Sequence, residues 1–502
     1  MNYPVILKIL SMLFAIMAAA FSLSAGVSLF YYADSPLEGE AMPAWISIIA
    51  LSVLLAFAFF LPSRTASGKI FKKEAMCIVG VGWTLASLLG AVPYIMIAGA
   101  PFADAFFESA SGLTTTGASV FGDYSDFPRS LMFWRCFSHW IGGLGVVVFF
   151  VAILSFLGPD GRVLYSREAS ASSGGGMETE RIQSAALKIM GVYAAISLAC
   201  AASFRLCGMG WYDAVCHMLS TVATGGFSVY EDSIAHYGSL TVYWVVAFFM
   251  FVGGVGFSVP MFLAAGQFRR ALQNTELKLY AAILATASVG MAVFMFARSG
   301  SEDSLWRTFT YSAFNAISVM TTTGFMCDDY QKWPPMTHSV FFALMLIGGC
   351  SGSTSGGIKV SRFALSFALC RNHIEKSFRP RVVRPVKING KIIGERDAFE
   401  VLSYIALYCL IAVASILALS FLETDLQLSE SITSVISSLN NVGPGFGRVG
   451  PSENYGFMHG ASKIFLGVLM IMGRLELYAI LALFMPCLLY TSPSPRDRQK
   501  SR

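Results

Sequence analysis

Charge is scarce in this chain: only 13% of its 502 residues are charged, its six histidines are dispersed, and its ten cysteines never occur as CxxC. So low a charge content excludes an ordinary soluble domain of this length. The cysteines lie singly, mostly in apolar runs, and read as small buried hydrophobes rather than as a disulfide or metal framework. His139 and His217 read as helix-interface residues rather than ligands. The sequence has no HExxH, no GxSxG and no paired carboxylates inside an apolar run, which argues against an enzyme. The net charge of +5 calls for no nucleic-acid partner, because the basic residues fall where a membrane topology would put them.

What is abundant is apolar sequence, 55% of the chain. Runs near 5–30, 44–62, 75–98, 131–157, 185–207, 240–265, 277–297, 338–358, 399–421 and 461–486 are each about long enough to cross the hydrocarbon. The first is longer than a signal-peptide core and reads as a retained helix. Four shorter pieces, near 103–115, 211–223, 305–322 and 429–440, suit re-entrant half-helices. Basic residues gather at Arg64, Lys69, Lys72 and Lys73, at Arg269 and Arg270, and from Arg371 through Lys376, Arg379, Arg381, Arg384, Lys387 and Lys391. The intervening loops are acidic, so the basic loops and both termini are expected on the cytoplasmic side, with the half-helices entering from outside. Residues 158–184 read as a flexible cytoplasmic connection, and 372–397 as a basic loop along the inner membrane surface. Residues 487–502 read as a disordered or non-native tail, resembling translated adapter sequence.

The half-helices belong to a repeat. Ten residues after Phe107, Val215, Phe314 and Thr433 comes a glycine, reached through TTTG (Gly117), VATG (Gly225), TTTG (Gly324) and NNVG (Gly443). Each is followed by an apolar stretch with its own glycine cluster: GGLG at Gly142, GGVG at Gly253, GGCSG at Gly348 and MGRLE at Gly473. Such self-similarity predicts four related units around one axis. The expected fold is an all-α polytopic membrane protein with two N-terminal helices (1–66), pore repeats at 67–160, 161–268, 269–372 and 373–486, and the tail 487–502. Glycine lets consecutive carbonyls turn toward an axis, and oxygens so placed can replace the water of a monovalent cation. A short helix before each loop would cover this irregular backbone and aim its C-terminal carbonyls at the cation path.

The motifs TTTGAS at Thr114, ATGGF at Ala223, TTTGF at Thr321, NNVGPGFG at Asn440 and GGCSGSTSGGIKV at Gly348 resemble those of the Trk/Ktr potassium transporter family, Trk type. The resemblance covers residues 1 to about 486. It implies a filter for the substrate ion, potassium, made by Thr115, Thr116, Gly117 and Ala118; Ala223, Thr224, Gly225 and Gly226; Thr322, Thr323, Gly324 and Phe325; and Asn441, Val442, Gly443 and Pro444. Relatives with serine at the first-loop glycine tend to pass sodium, so Gly117 favours potassium. Also implied are a homodimer in the lipid of a bacterial inner membrane, a cytosolic nucleotide-binding regulatory subunit, and no bound organic cofactor in this chain. Uptake would run down the ion's gradient or as symport; the alternative is a potassium-binding subunit of an ATP-driven pump.

Two further segments bear on gating. The run from Gly348 to Lys359 holds too many glycines for an uninterrupted helix. In the family it is a moving obstruction beneath the filter, here carried by Gly348, Gly349, Gly352, Ser353, Thr354, Gly356 and Gly357, with close helix packing as the alternative. A phosphate-loop reading fails because Ile358 stands in the lysine slot. Lys359 reads as a snorkelling anchor at the inner surface. Arg474, within the last run, should face the bundle interior or water, since a charge there is expensive. The family reading makes it an electrostatic barrier in the pore; the alternative is a buried ion pair or dimer contact involving Glu476.

Overall fold

The computed structural model describes residues 2–66, 72–156, 182–299, 304–379, 386–388 and 391–484. Residues 158–181 of the expected flexible connection, Lys69, Arg381, Arg384 and the tail 487–502 lie outside the described residues. Helices α1 (Tyr3–Phe30) and α2 (Pro36–Phe60) each carry proline in the first turn, where its missing N–H costs nothing. They pack as a hairpin through Phe14, Met17, Phe21, Trp45 and Ile48. Buried Glu38, at the start of α2, accepts hydrogen bonds from the Ser130 amide (2.9 Å) and hydroxyl (2.7 Å), and so docks the hairpin on the first repeat.

Each repeat consists of a long helix, a short buried helix and a further helix, which is long in the first repeat and cut short in the others. These are α3 (Lys72–Met96), α4 (Phe102–Leu113) and α5 (Arg129–Phe156) in the first, and α6 (Ile182–Leu206), α7 (Trp211–Val222) and α8 (Leu240–Gly254) in the second. Helices α9 (Ser258–Ala264) and α10 (Phe268–Gln273) lead to the third, built from α11 (Thr275–Ser299), α12 (Leu305–Met320) and α13 (Pro335–Leu346). Helix α14 (Val360–Phe378) leads to the fourth: α15 (Glu395–Leu422), α16 (Leu428–Asn440), α17 (Gly460–Arg474) and α18 (Tyr478–Leu483). At about 1.5 Å per residue, none of α4, α7, α12 and α16 is long enough to cross the hydrocarbon. Their buried faces hold serine, threonine and alanine rather than leucine alone.

The last helix of each triplet packs on the short helix of the next repeat: α8 on α12, α13 on α16, α5 on α7, and α17 back on α4. Lys463 of α17 fastens the last of these contacts, donating to the Asp104 carboxylate at the start of α4 (2.7 Å) and to the Gly456 carbonyl (2.9 Å). The four units thus close on themselves.

Six described helices are long and apolar enough to cross a membrane, and the pair α8–α9 would be a seventh were it not bent by 105°. Two runs expected as continuous spans are instead broken, 240–265 after Gly254 and 461–486 after Arg474, while 338–358 ends its helix at Leu346, where the glycine run was expected to interrupt it. Hydropathy averaged over a run does not register these breaks, because the apolar residues on either side outweigh the few polar or charged ones at them. The freed backbone finds partners in protein, as membrane depth requires: the Cys350 amide donates to the Gly254 carbonyl and the Phe257 amide to the Gly352 carbonyl, both at 2.9 Å. Among the described residues the only strands are a small antiparallel pairing of Lys387–Ile388 with Lys391–Ile392 in the basic segment.

Candidate functional site

The four short helices end in the same way. The first residue of the loop proper has left-handed backbone: Thr115 (φ 54°), Thr224 (54°), Thr322 (58°) and Asn441 (55°). Two residues later a glycine returns to positive φ: Gly117 (82°), Gly226 (89°), Gly324 (82°) and Gly443 (104°). Left-handed backbone is strained for a β-branched threonine and persists only where its surroundings over-determine it.

These glycines also form a ring. A Cβ placed on Gly117 would fall on the Gly225 carbonyl oxygen, on Gly226 on the Thr323 oxygen, on Gly324 on the Val442 oxygen, and on Gly443 on the Thr116 oxygen. Each loop therefore lies with its carbonyl against the glycine of the loop before it, and the fourth meets the first.

The ring corrects the second repeat by one residue. Gly226, not Gly225, is the counterpart of Gly117, Gly324 and Gly443, so Thr224 to Phe227 match Thr115 to Ala118, and Ala223 matches Thr114. Gly225 is glycine for another reason: a Cβ there would collide with the His139 imidazole, which stacks on Phe227 at 4.2 Å.

In the corrected register, features appear that sequence reading missed. Six residues before each ring glycine is a serine: Ser111, Ser220, Ser318 and Ser437. Their carbonyls accept the amides of Thr116 (2.9 Å), Gly225 (2.8 Å), Thr323 (2.8 Å) and Val442 (2.9 Å), pinning every loop to the end of its own helix. Nine residues before stand Glu108, His217, Asn315 and Ser434, all buried and polar. Glu108 accepts the Val120 amide at 3.1 Å, His217 Nε2 meets the Ser228 hydroxyl at 3.0 Å, and the Asn315 amide group donates to the Asp328 carbonyl at 3.3 Å. Three of the loops are thus held beyond the glycine as well as before it. In the fourth, the Tyr455 hydroxyl donates to the Gly443 carbonyl at 3.0 Å.

Glu108 also pairs with Arg135 of α5 at 2.6 Å, both side chains being buried. Arg135 in turn donates to the Ser228 carbonyl (2.9 Å) and lies 3.8 Å over the Phe227 ring, so the pair ties loops one and two together. Glu108→Gln would leave the arginine uncompensated, and removing one partner of a buried pair costs about 3–5 kcal/mol. We expect less folded protein after detergent extraction and a lower melting temperature, measured by size-exclusion fluorescence.

Directly against the loops lies the glycine-rich segment. Its neck is closed by the Gly348 amide on the Ile358 carbonyl (2.9 Å) and the Val360 amide on the Gly349 carbonyl (3.2 Å). Gly352 and Gly357 have positive φ. Ser353, Thr354 and Gly356 form the tip. The Thr354 hydroxyl meets the Thr224 hydroxyl (3.2 Å) and donates to the Val222 and Gly253 carbonyls, while the Gly356 amide donates to the Thr322 hydroxyl at 2.7 Å. The tip therefore bonds to the residues at which loops two and three begin.

Arg474 reaches the same tip from the fourth repeat, donating to the Thr354 carbonyl at 2.6 Å and to the Gly142 carbonyl of the first repeat at 3.4 Å. Its pairing with Glu476 is not what the structure shows: Glu476 binds Arg362 of α14, at a break where Glu476 and Leu477 both have positive φ. Lys359 does not snorkel outward either. Its ammonium turns back to the Ser355 and Gly356 carbonyls, because the loop folds those acceptors over it.

Comparison with known proteins agrees with this geometry. The TrkH family, described as a cation transport protein, matches residues 47–489. The chain belongs to the TrkH family. It is 30% identical over 489 residues to the Trk system potassium uptake protein TrkH of Salmonella typhimurium, covering 97% of this chain and 99% of that one. It is 33% identical over 417 residues to the potassium uptake protein TrkG of Escherichia coli K12, covering 82% and 84%. The crystal structure of the potassium transporter TrkH from Vibrio parahaemolyticus superposes with a TM-score of 0.87 at 27% identity, covering 98% of this chain and all of the other. These relatives are named as transporters, not enzymes, and the TrkH fold is that of a polytopic membrane protein.

Proposed function

We propose that this chain takes up potassium across a bacterial inner membrane through the axis enclosed by its four loops. The observation that carries the reading is the closed ring, in which Thr116, Gly225, Thr323 and Val442 each set a carbonyl against the glycine of the neighbouring loop. Backbone oxygens held in this way replace hydration water without the cost of ordering free side chains. The filter is assigned to Thr115–Ala118, Thr224–Phe227, Thr322–Phe325 and Asn441–Pro444. Uptake-system names among the relatives support this over the pump-subunit alternative.

The glycine-rich segment is the obstruction below the filter, and Arg474 is both its strut and a fixed positive charge on the path. Opening requires the tip to leave Thr224 and Thr322. A cytosolic nucleotide-binding subunit acting on a homodimer would supply that motion, with the basic loops and termini on the cytoplasmic side. Two experiments test the reading. Expression should rescue a potassium-uptake-deficient bacterium at limiting potassium, and rubidium flux into vesicles, with and without a proton gradient, separates passive flow from symport. Deleting Ser351 to Ser355 is expected to raise basal flux and weaken dependence on the regulatory partner; a folded deletion that stays closed would remove the segment from gating.

A further inference from the structure

The neck of the glycine-rich segment is held by a residue from outside it. Glu276 opens α11, where the Asn274 side chain caps the helix by accepting the Glu276 amide (2.9 Å) and the Leu277 amide (3.2 Å). Its carboxylate is buried, only 4% exposed, and aims across at the neck. There a single carboxylate oxygen accepts the Ser351 amide (2.7 Å), the Ser351 hydroxyl (3.0 Å) and the Ser361 amide (3.2 Å). Ser351 precedes the tip and Ser361 follows it, and their hydroxyls meet at 2.6 Å. One carboxylate thus gathers both ends of the segment.

We propose that Glu276 is a positioning residue for conduction: its carboxylate fixes the neck and so keeps the tip seated beneath the filter. The inference rests on the reading of this segment as the obstruction. Hydrogen bonds to a charged acceptor are stronger than neutral ones, and three converge on this oxygen. The tip bonds to Thr224, Thr322 and Arg474, but once those bonds break its glycines leave the backbone many conformations. A clasp at the neck removes that freedom without touching the ion path. Its place on the chain also matters, since Glu276 follows α10, whose Arg269 and Arg270 are exposed, so displacing that turn would pull on the clasp.

The test uses the full chain in vesicles without a regulatory partner. Glu276→Ala should raise basal rubidium flux about tenfold or more, as expected when at least one charge-assisted bond is lost. Glu276→Gln keeps an acceptor oxygen and should restore most of the closure. The potassium-to-sodium ratio should not change in either, because no ring atom is altered. A general loss of structure would change that ratio and would not be rescued by glutamine. Should Glu276→Ala fail to accumulate, Ser361→Pro removes the amide donor to Glu276 and the hydroxyl that meets Ser351, in the first helical turn where no intrahelical bond is lost, and carries the same expectation. Closed-state flux in a folded Glu276→Ala or Ser361→Pro, alongside raised flux in the Ser351–Ser355 deletion, overturns the clasp alone. Low flux in all of them overturns the obstruction reading beneath it.

Discussion

Gly226→Ala is expected to lower the discrimination of potassium from sodium by about tenfold or more, whereas Gly225→Ala should leave most of it intact, because only Gly226 combines positive φ with ring contact. At φ 89° an added Cβ is strained, and it would press on the Thr323 carbonyl, one of the ring oxygens. The backbone strain alone is about 1–2 kcal/mol. At Gly225 the obstacle is the His139 ring, a side chain behind the loop, so the substitution should cost stability more than selectivity. Gly117→Ser, which faces the Gly225 carbonyl, belongs with Gly226→Ala and should raise sodium flux. Paired rubidium and sodium fluxes into vesicles, normalised to folded protein, decide the matter. Equal effects at the two adjacent glycines would undo the one-residue correction of the second repeat.

That correction shows where sequence reading reached its limit. Three of the short helices were legible because their lengths fall well below a bilayer crossing, and all four loops because a glycine recurs after each. VATGGF, however, offers two glycines, and spacing cannot say which one has positive φ. Once repeat two is misplaced by a residue, Ser220 no longer aligns with Ser111, Ser318 and Ser437, and the pinning serine disappears into the background. Glu276 was illegible for a different reason. An acidic residue in a helix's first turn already has an ordinary explanation in the helix dipole, and nothing in sequence brings it to Ser351, 75 residues away. Lys359 was misread because snorkelling is the default for a lysine ending an apolar run, and only the folded loop reveals acceptors nearer than the membrane surface. The broken spans share that cause: a break is decided by where backbone groups find partners, which hydropathy does not record.

Replacing Arg474 should speed potassium passage more than any change outside the loops. Its guanidinium stands where the second helices of the first two repeats carry Gly143 and Gly254, each of which packs against the end of the next short helix. Where those glycines allow close packing, arginine instead extends a charged side chain, and it does two things there. It bonds the Thr354 carbonyl, which holds the tip in place, and it spans to the Gly142 carbonyl on the neighbouring first repeat. It also opposes any cation beneath the filter, by about 4 kcal/mol for unit charges 4 Å apart at an effective dielectric near 20, less where water enters. Arg474→Ala removes both effects, Arg474→Gln keeps a donor without the charge, and Arg474→Lys keeps the charge without the fork that reaches two carbonyls. If charge dominates, lysine should stay slow and glutamine should be fast. If the strut dominates, lysine should be fast as well. Because Glu476 is already paired with Arg362, none of these changes strands a carboxylate, and folded yield should hold. Rubidium flux per folded protein across the three variants reads the order directly, and unchanged flux in Arg474→Ala with normal yield would remove Arg474 from the conduction path.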